Sequence, residues 1–374
     1  MSPRTRYIVG LSGGVDSAVA ALLLLEQGHA IQGLFMRNWE DDDTATYCSA
    51  EQDLAYAKQV CAQLDIPLHV ANFAHEYRAE VFDHCLREYR RGHTPNPDIL
   101  CNQRIKFHAF INYAQRLGTD HIATGHYARN IERHGTYHLF KAKDADKDQS
   151  YFLYTLGQRQ LARATFPLGE HAKSTVRALA EQAGFDNFDR KDSTGICFIG
   201  ERAFRPFLSR YIQPTPGPIE TPEGVVVGRH QGVSFYTLGQ RQGLEIGGRA
   251  GRSGKPWYVV GKDTPANRLI VAQGHDHPLL MSVGLEATEL CWVAGRPPST
   301  PLRCFAKTRY RQPSQSCVVE AITADCARTV FDQPQRAVVP GQSVVFYCDE
   351  ECIGGGVIQQ TFPWHTHETR YGIA

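Results

Sequence analysis

Tyr7-Ile8-Val9-Gly10-Leu11-Ser12-Gly13-Gly14-Val15-Asp16-Ser17 joins a buried-strand run to a glycine turn and the start of an apolar helix. The helix extends from about Val15 to Gln27 and stops at Gly28. Two adjacent glycines let the backbone fold tightly around phosphate oxygens. The helix that follows offers free N–H groups and the positive end of its dipole. Ser12 and Ser17 add hydroxyl donors. No Lys-Ser or Lys-Thr pair follows the glycines, so this is not a Walker loop.

Outward from this hexamer, strand-like and helix-like patterns alternate. Ile31 to Met36 is a strand candidate. Glu51 to Leu64 places Leu54, Ala57, Cys61 and Leu64 on one helical face, and Leu68-His69-Val70 is a third strand. Helices are expected near His75–Arg91 and Arg104–Leu117, then a strand at Ile122-Ala123-Thr124. This is the βαβ pattern of an α/β, doubly wound parallel sheet. Such sheets bind ligands beyond the C-terminal ends of their strands, so the 12–17 loop, Met36 and Gly125-His126 should share a rim. A helix follows with Ser174 as N-cap and Gly184 as its stop.

After about Arg210, Pro214, Pro216, Pro218 and Pro222 mark an irregular segment, followed by short β pieces such as Val225–Val227 and Trp257–Val260. From about Met281, strand-like runs at Leu302–Tyr310, Cys317–Ile322, Val338-Val339 and Val344–Cys348 suggest a small β-barrel or sandwich. The expected division is a catalytic domain over 1–205, a small mixed β domain over 206–280 and a β-barrel over 281–374. The heptapeptide Tyr154–Gln160 recurs at Tyr236–Gln242, but the flanks differ, which reads as coincidence.

With 42% hydrophobic and 21% charged residues, the 374-residue chain is globular and long enough to build cores without disulfides or structural metals. No signal peptide or membrane span is legible at the start, and the eleven cysteines are an odd number scattered along the chain. Both features point to a reducing, cytoplasmic setting. Cys348 and Cys352 lack a second ligand pair, so no metal site is read there. The acidic run Glu40–Asp43 reads as a solvated loop. The net charge of +1 announces no nucleic-acid partner, but Arg296, Arg303, Lys307, Arg309 and Arg311 fall together with Phe305 and Tyr310 and no acid between them. Phosphate contact plus base stacking would use such a mixture.

Two cysteines have particular settings. In Asn96-Pro97-Asp98-Ile99-Leu100-Cys101-Asn102, Asp98 precedes Cys101 by three residues. With a helix beginning at Arg104, the thiol would sit at a helix start, which favours the thiolate. Asp98 could hold a base edge or move a proton. Cys197 lies in Asp192-Ser193-Thr194-Gly195-Ile196-Cys197-Phe198-Ile199-Gly200, between glycines that suit a mobile loop. A persulfide-bearing cysteine needs a partner thiol to release its terminal sulfur. Either the persulfide attacks the substrate and the second thiol then forms a disulfide, or the second thiol first frees hydrosulfide.

The hexamer resembles the PP-loop of enzymes that cleave ATP between the α and β phosphates. The whole chain resembles the PP-loop tRNA 2-thiouridylases, on Gly10–Ser17, Asn38–Glu40, Thr94–Asn102, Thr124–Tyr127, Lys147–Leu153, Lys191–Gly200, Gln231-Gly232, Gly274-His275, Lys307–Arg311 and Pro340–Gln342. The resemblance implies ATP-dependent replacement of the C2 oxygen of the wobble uridine by sulfur in tRNAs for Lys, Glu and Gln. It implies ATP held by Gly10, Leu11, Ser12, Gly13, Gly14, Val15, Asp16 and Ser17, with Met36 and Gly125 touching the nucleotide and Mg2+ accompanying it. Asn96, Pro97 and Asp98 would hold the target base, Cys101 would be the nucleophile and Cys197 the persulfide carrier. His126, Lys147, Asp148, Gln149, Arg309, Tyr310 and Gln342 would contact tRNA. A monomer served by a cysteine desulfurase or a sulfur-relay protein is expected. An ammonia-using PP-loop synthetase would have no use for the cysteine pair. A cytidine thiolase would often carry a CxxC motif, and none occurs here. A tRNA-binding module with a decayed loop would not keep the hexamer intact.

Overall fold

The computed structural model describes residues 4–39, 49–191, 204–246 and 254–364. Cys197 and the Glu40–Asp43 run lie outside the described residues. Strands β1 (Arg6–Gly10), β2 (Ala30–Arg37), β3 (Leu68–Asn72) and β4 (His121–Ala123) are followed by a hairpin of β5 (Ala128–Arg133) and β6 (Thr136–Lys141), then β7 (Ala164–Thr165). The order β3-β2-β1-β4-β7, with every pairing parallel, makes the doubly wound sheet expected from the alternating pattern. The strand order reverses direction at β1, between β2 and β4. The crevice opened there, at the C-terminal ends of β1 and β4, is the usual ligand position in such sheets.

The helix carrying Cys101 begins earlier than the sequence reading placed it. Asn96 caps it by accepting from the backbone N–H groups of Asp98 and Ile99, at 3.2 and 3.3 Å, and Pro97 takes the first helical position. Proline suits that position because its missing N–H would be unpaired there anyway. Helical backbone then runs from 97 to 116, with a widened π-helical stretch at Asn102–Ala109. Cys101 therefore sits a full turn inside the helix, where the dipole effect on its thiol has faded. The Lys173–Gln182 helix likewise begins one residue before the expected cap, with Ala172 in the N-cap position.

The second sheet has the order β10-β11-β8-β9, built from β8 (Gly217–Glu220), β9 (Val226–His230), β10 (Trp257–Asp263) and β11 (Arg268–Gln273). The C-terminal strands are β12 (Met281–Trp292), β13 (Leu302–Lys307), β14 (Gln315–Ile322), β15 (Ala327–Arg336), β16 (Ser343–Cys348) and β17 (Glu351–Pro363). They run β12-β15-β14-β13-β16-β17, and β17 pairs back onto β12, so the sheet closes as a barrel. Val338-Val339 is not a strand: it is the loop that brings Pro340–Gln342 against Thr94. The β5–β6 hairpin of the first unit extends the barrel sheet, with Glu351 opposite Phe140 and Cys352 opposite Leu139. Tyr151 and Tyr154 reinforce this junction, their hydroxyls bonded to the Ser343 carbonyl and Oγ at 2.9 and 3.0 Å. The repeated heptapeptide adopts two conformations, Gly157 having φ −93° and Gly239 φ +79°. This supports coincidence over duplication.

Candidate active site

The phosphate loop is self-braced. Ser17 Oγ donates to the Gly14 carbonyl at 3.0 Å and accepts from the Ser12 N–H at 3.1 Å. No side chain caps the Val15–Glu26 helix, so its first N–H groups remain for a ligand. Gly13 has φ +76°, and a Cβ there would come within 2.5 Å of the Asp53 carbonyl oxygen. The Gly13 carbonyl is held from behind by Asn187 Nδ2 at 2.9 Å and Arg190 at 3.2 Å, while Arg190 also pairs with Asp53 at 2.6 Å. Gly13→Ala combines positive-φ strain with a backbone clash, so the loop must move. ATP-dependent pyrophosphate release should then fall about 100-fold, the usual cost of a roughly 1 Å misplacement. A single-turnover assay beside a melting curve checks this, and an unchanged rate would show that the loop tolerates displacement.

Gly10–Ser17, Met36 and Gly125 come together as expected. A Cβ on Gly125 would lie 2.7 Å from the Ser17 nitrogen, and a Cβ on Gly10 would lie 3.5 Å from Met36 Cε. Two residues that sequence reasoning missed complete this end of the site. Lys173 Nζ lies 2.7 and 2.8 Å from the two Asp16 carboxylate oxygens, and the Tyr127 hydroxyl donates to Asp16 at 2.7 Å. Lys173 comes from 157 positions away, so no local motif could announce it. The cation missing from the glycine loop is thus supplied by the Lys173–Gln182 helix, whose Val176 and Ala180 share a core with Val15, Ala18 and Val19.

Cys101 is fully buried, on the helix whose Phe110 lies 3.1 Å from where a Gly10 Cβ would stand. Asp98 faces the neighbouring helix. Burial first, then the Asp98 and Glu88 charges, push the Cys85 thiol up to about 12, and burial, then Cys85 and Asp98, raises the Tyr89 hydroxyl. The segment before the helix is pinned by the barrel: Gln342 Nε2 donates to the Thr94 carbonyl at 2.9 Å, and the Thr94 N–H donates to the Pro340 carbonyl at 3.1 Å.

The expected tRNA contacts fall into two groups. His126 is buried between Phe107 and Phe166, and burial, then Lys106, holds its pKa well below the usual histidine range. Asp148 is buried, accepting from the Ala142 and Ser150 N–H groups and pairing with Lys307 at 3.7 Å. Gln149 accepts from the Tyr127 N–H at 3.0 Å. These groups, like Gln342, are engaged internally. Lys147 is half-buried, Arg309 and Arg311 are exposed, and Tyr310 rests on Phe152 with ring centroids 4.4 Å apart.

A family model described as a tRNA methyl transferase HUP domain matches residues 5–201, a tRNA methyl transferase PRC-barrel domain matches 205–273, and an aminomethyltransferase beta-barrel domain matches 282–358. Among curated proteins, the chain is 60% identical to a tRNA-specific 2-thiouridylase MnmA from Alkalilimnicola ehrlichii over 97% of this chain and 100% of that one. It is 61% identical to the protein of the same name from Methylococcus capsulatus, over 96% of this chain and 97% of that one. Among solved structures, the U34-tRNA thiolase NcsA from Methanococcus maripaludis aligns with 17% identity and a TM-score of 0.34, covering 55% of this chain and 63% of that one, too distant a likeness to carry an argument.

Proposed function

The chain belongs to the tRNA-specific 2-thiouridylase family and is a sulfurtransferase, and from that premise we propose that it thiolates C2 of the wobble uridine in tRNAs for Lys, Glu and Gln. The observation that carries this reading is a single helix that packs Phe110 against the strand end leading into the phosphate loop and holds Cys101 nine residues before it. The loop would bind ATP so that the uridine C2 oxygen attacks the α-phosphate and pyrophosphate leaves. Adenylation turns a poor leaving group into AMP, which sulfur then displaces.

Asn96, Pro97 and Asp98 would hold the base, with Asp98 as its acid/base group. The sulfur would arrive as a persulfide on Cys197, and Cys101 would take the inner sulfur into a Cys101–Cys197 disulfide. That step leaves the terminal sulfur on C2, directly or as hydrosulfide, and a thiol reductant then restores both cysteines. Magnesium would accompany the triphosphate, keeping several waters and taking phosphate oxygens, and Asp16, about a third exposed and paired with Lys173 and Tyr127, would be the carboxylate to share it. It would neutralise phosphate charge. The exposed Arg309 and Arg311, with Tyr310, would meet the RNA backbone and bases.

No helix among the described residues is long and apolar enough to cross a membrane. The proposed setting is the cytoplasm, where a monomer would receive sulfur from a cysteine desulfurase or a relay protein. The methyl-transferase wording of the family models is not carried over, because alkyl transfer needs no triphosphate.

The test is nucleoside mass spectrometry of tRNA incubated with the protein, ATP, magnesium and a persulfide source, beside a Cys197→Ser variant. Wild type should yield 2-thiouridine, and the variant none. A different thiolated base would overturn the substrate assignment, and product formation by the variant would overturn the carrier.

A further inference from the structure

A cavity of about 270 Å³ lies between the Cys101 helix and the barrel. Asn96, Leu100 and Gln103 line it at the spacing of a single helical face, and Thr155 and Leu290 line it from other elements. Asp98 and Cys101 share another face of the same helix and do not line this space. It is slightly smaller than the ~300–1,000 Å³ typical of small-molecule sites, which suits a fragment such as a nucleobase better than a whole nucleotide.

Its lining has unfilled hydrogen-bonding capacity. Among the described residues, Thr155 Oγ1 is buried without a partner. Glu88 and Glu289 also line the space; Glu88 is already paired with Arg91 and His93, which leaves Glu289 as the carboxylate that opposes a free anion but accepts from the N–H groups of a base. Arg104 lines the cavity and is exposed, as a contact to a connecting phosphate would require.

An enzyme that draws one base out of an anticodon loop breaks stacking with its neighbours. We propose that this cavity receives a nucleobase flanking the target uridine, with Leu100 and Leu290 against its faces and Thr155 and Gln103 along its edge. The inference rests on the tRNA-thiolation reading above.

The test uses the full-length enzyme and anticodon stem–loops that are intact or abasic at the position immediately 5′ or 3′ of the target. For wild type, one abasic substitution should raise KM for RNA about tenfold, in line with the loss of one stacked base, with kcat and KM for ATP within twofold. Thr155→Val, which keeps the shape but removes the hydroxyl, and Leu290→Phe, which fills the space, should raise KM on intact RNA and add nothing on that abasic RNA. Equal KM for all three RNAs with wild type overturns the inference without any variant, as does a variant penalty that persists on the abasic RNA. If wild type forms no 2-thiouridine on intact RNA, the thiolation reading falls and takes this inference with it.

Discussion

Replacing Cys101 with serine should lower 2-thiouridine formation by about three orders of magnitude or more, the usual outcome when a nucleophile acting in concert with its partners is removed. A serine hydroxyl stays protonated near neutral pH and does not attack a persulfide, so the inner sulfur has no acceptor. In the proposed mechanism adenylation would precede that step, so about one equivalent of pyrophosphate per tRNA should still appear in the first turnover. Cys85 is the control. It is buried beside Asp98, its thiol pushed up to about 12 by burial and neighbouring carboxylates, and so is not a nucleophile. Cys85→Ala should lose some stability but keep thiolation within severalfold. Rapid-quench measurement of pyrophosphate and thionucleoside separates the steps. Turnover surviving in Cys101→Ser, or vanishing in Cys85→Ala, would move the nucleophile elsewhere.

Lys173→Met should reduce ATP-dependent pyrophosphate release about 100-fold, the scale seen when one preorganised electrostatic contact is removed. The substitution leaves Asp16 with Tyr127 but without the ammonium that now meets both carboxylate oxygens. An incoming triphosphate would then meet a less neutralised carboxylate. Lys173→Arg should recover part of the rate, because it restores charge with different geometry. The magnesium concentration giving half-maximal rate should also shift in Lys173→Met. A merely structural lysine would lower the melting temperature and leave that dependence unchanged, which sinks the role argued for it.

The parallel sheet and the phosphate loop were legible because their signals are local. Strand, glycine turn and helix follow one another from Arg6 to Glu26, and apolar periodicity reports which faces are covered. Misreadings arose where local rules compete. A helix start at Arg104 is one such reading: proline also serves as a first helical residue, and the Asn96 cap decides for the earlier start at Pro97. The β-branched pair Val338-Val339 has strand propensity, but the chain needs a loop there to set Gln342 against Thr94.

By itself, the sequence determined the class of sheet, the glycine loop between strand and helix and the two cysteines set apart by their neighbours, all features encoded within a dozen or so residues. Tertiary structure alone decided that Lys173 and Tyr127 would meet Asp16, that Asn187 and Arg190 would hold the back of the loop, and that the β5–β6 hairpin would join the barrel. The reason is physical: a hydrogen bond or ion pair depends on a few ångströms of space, and only the packing of helices and sheets brings distant stretches of chain that close.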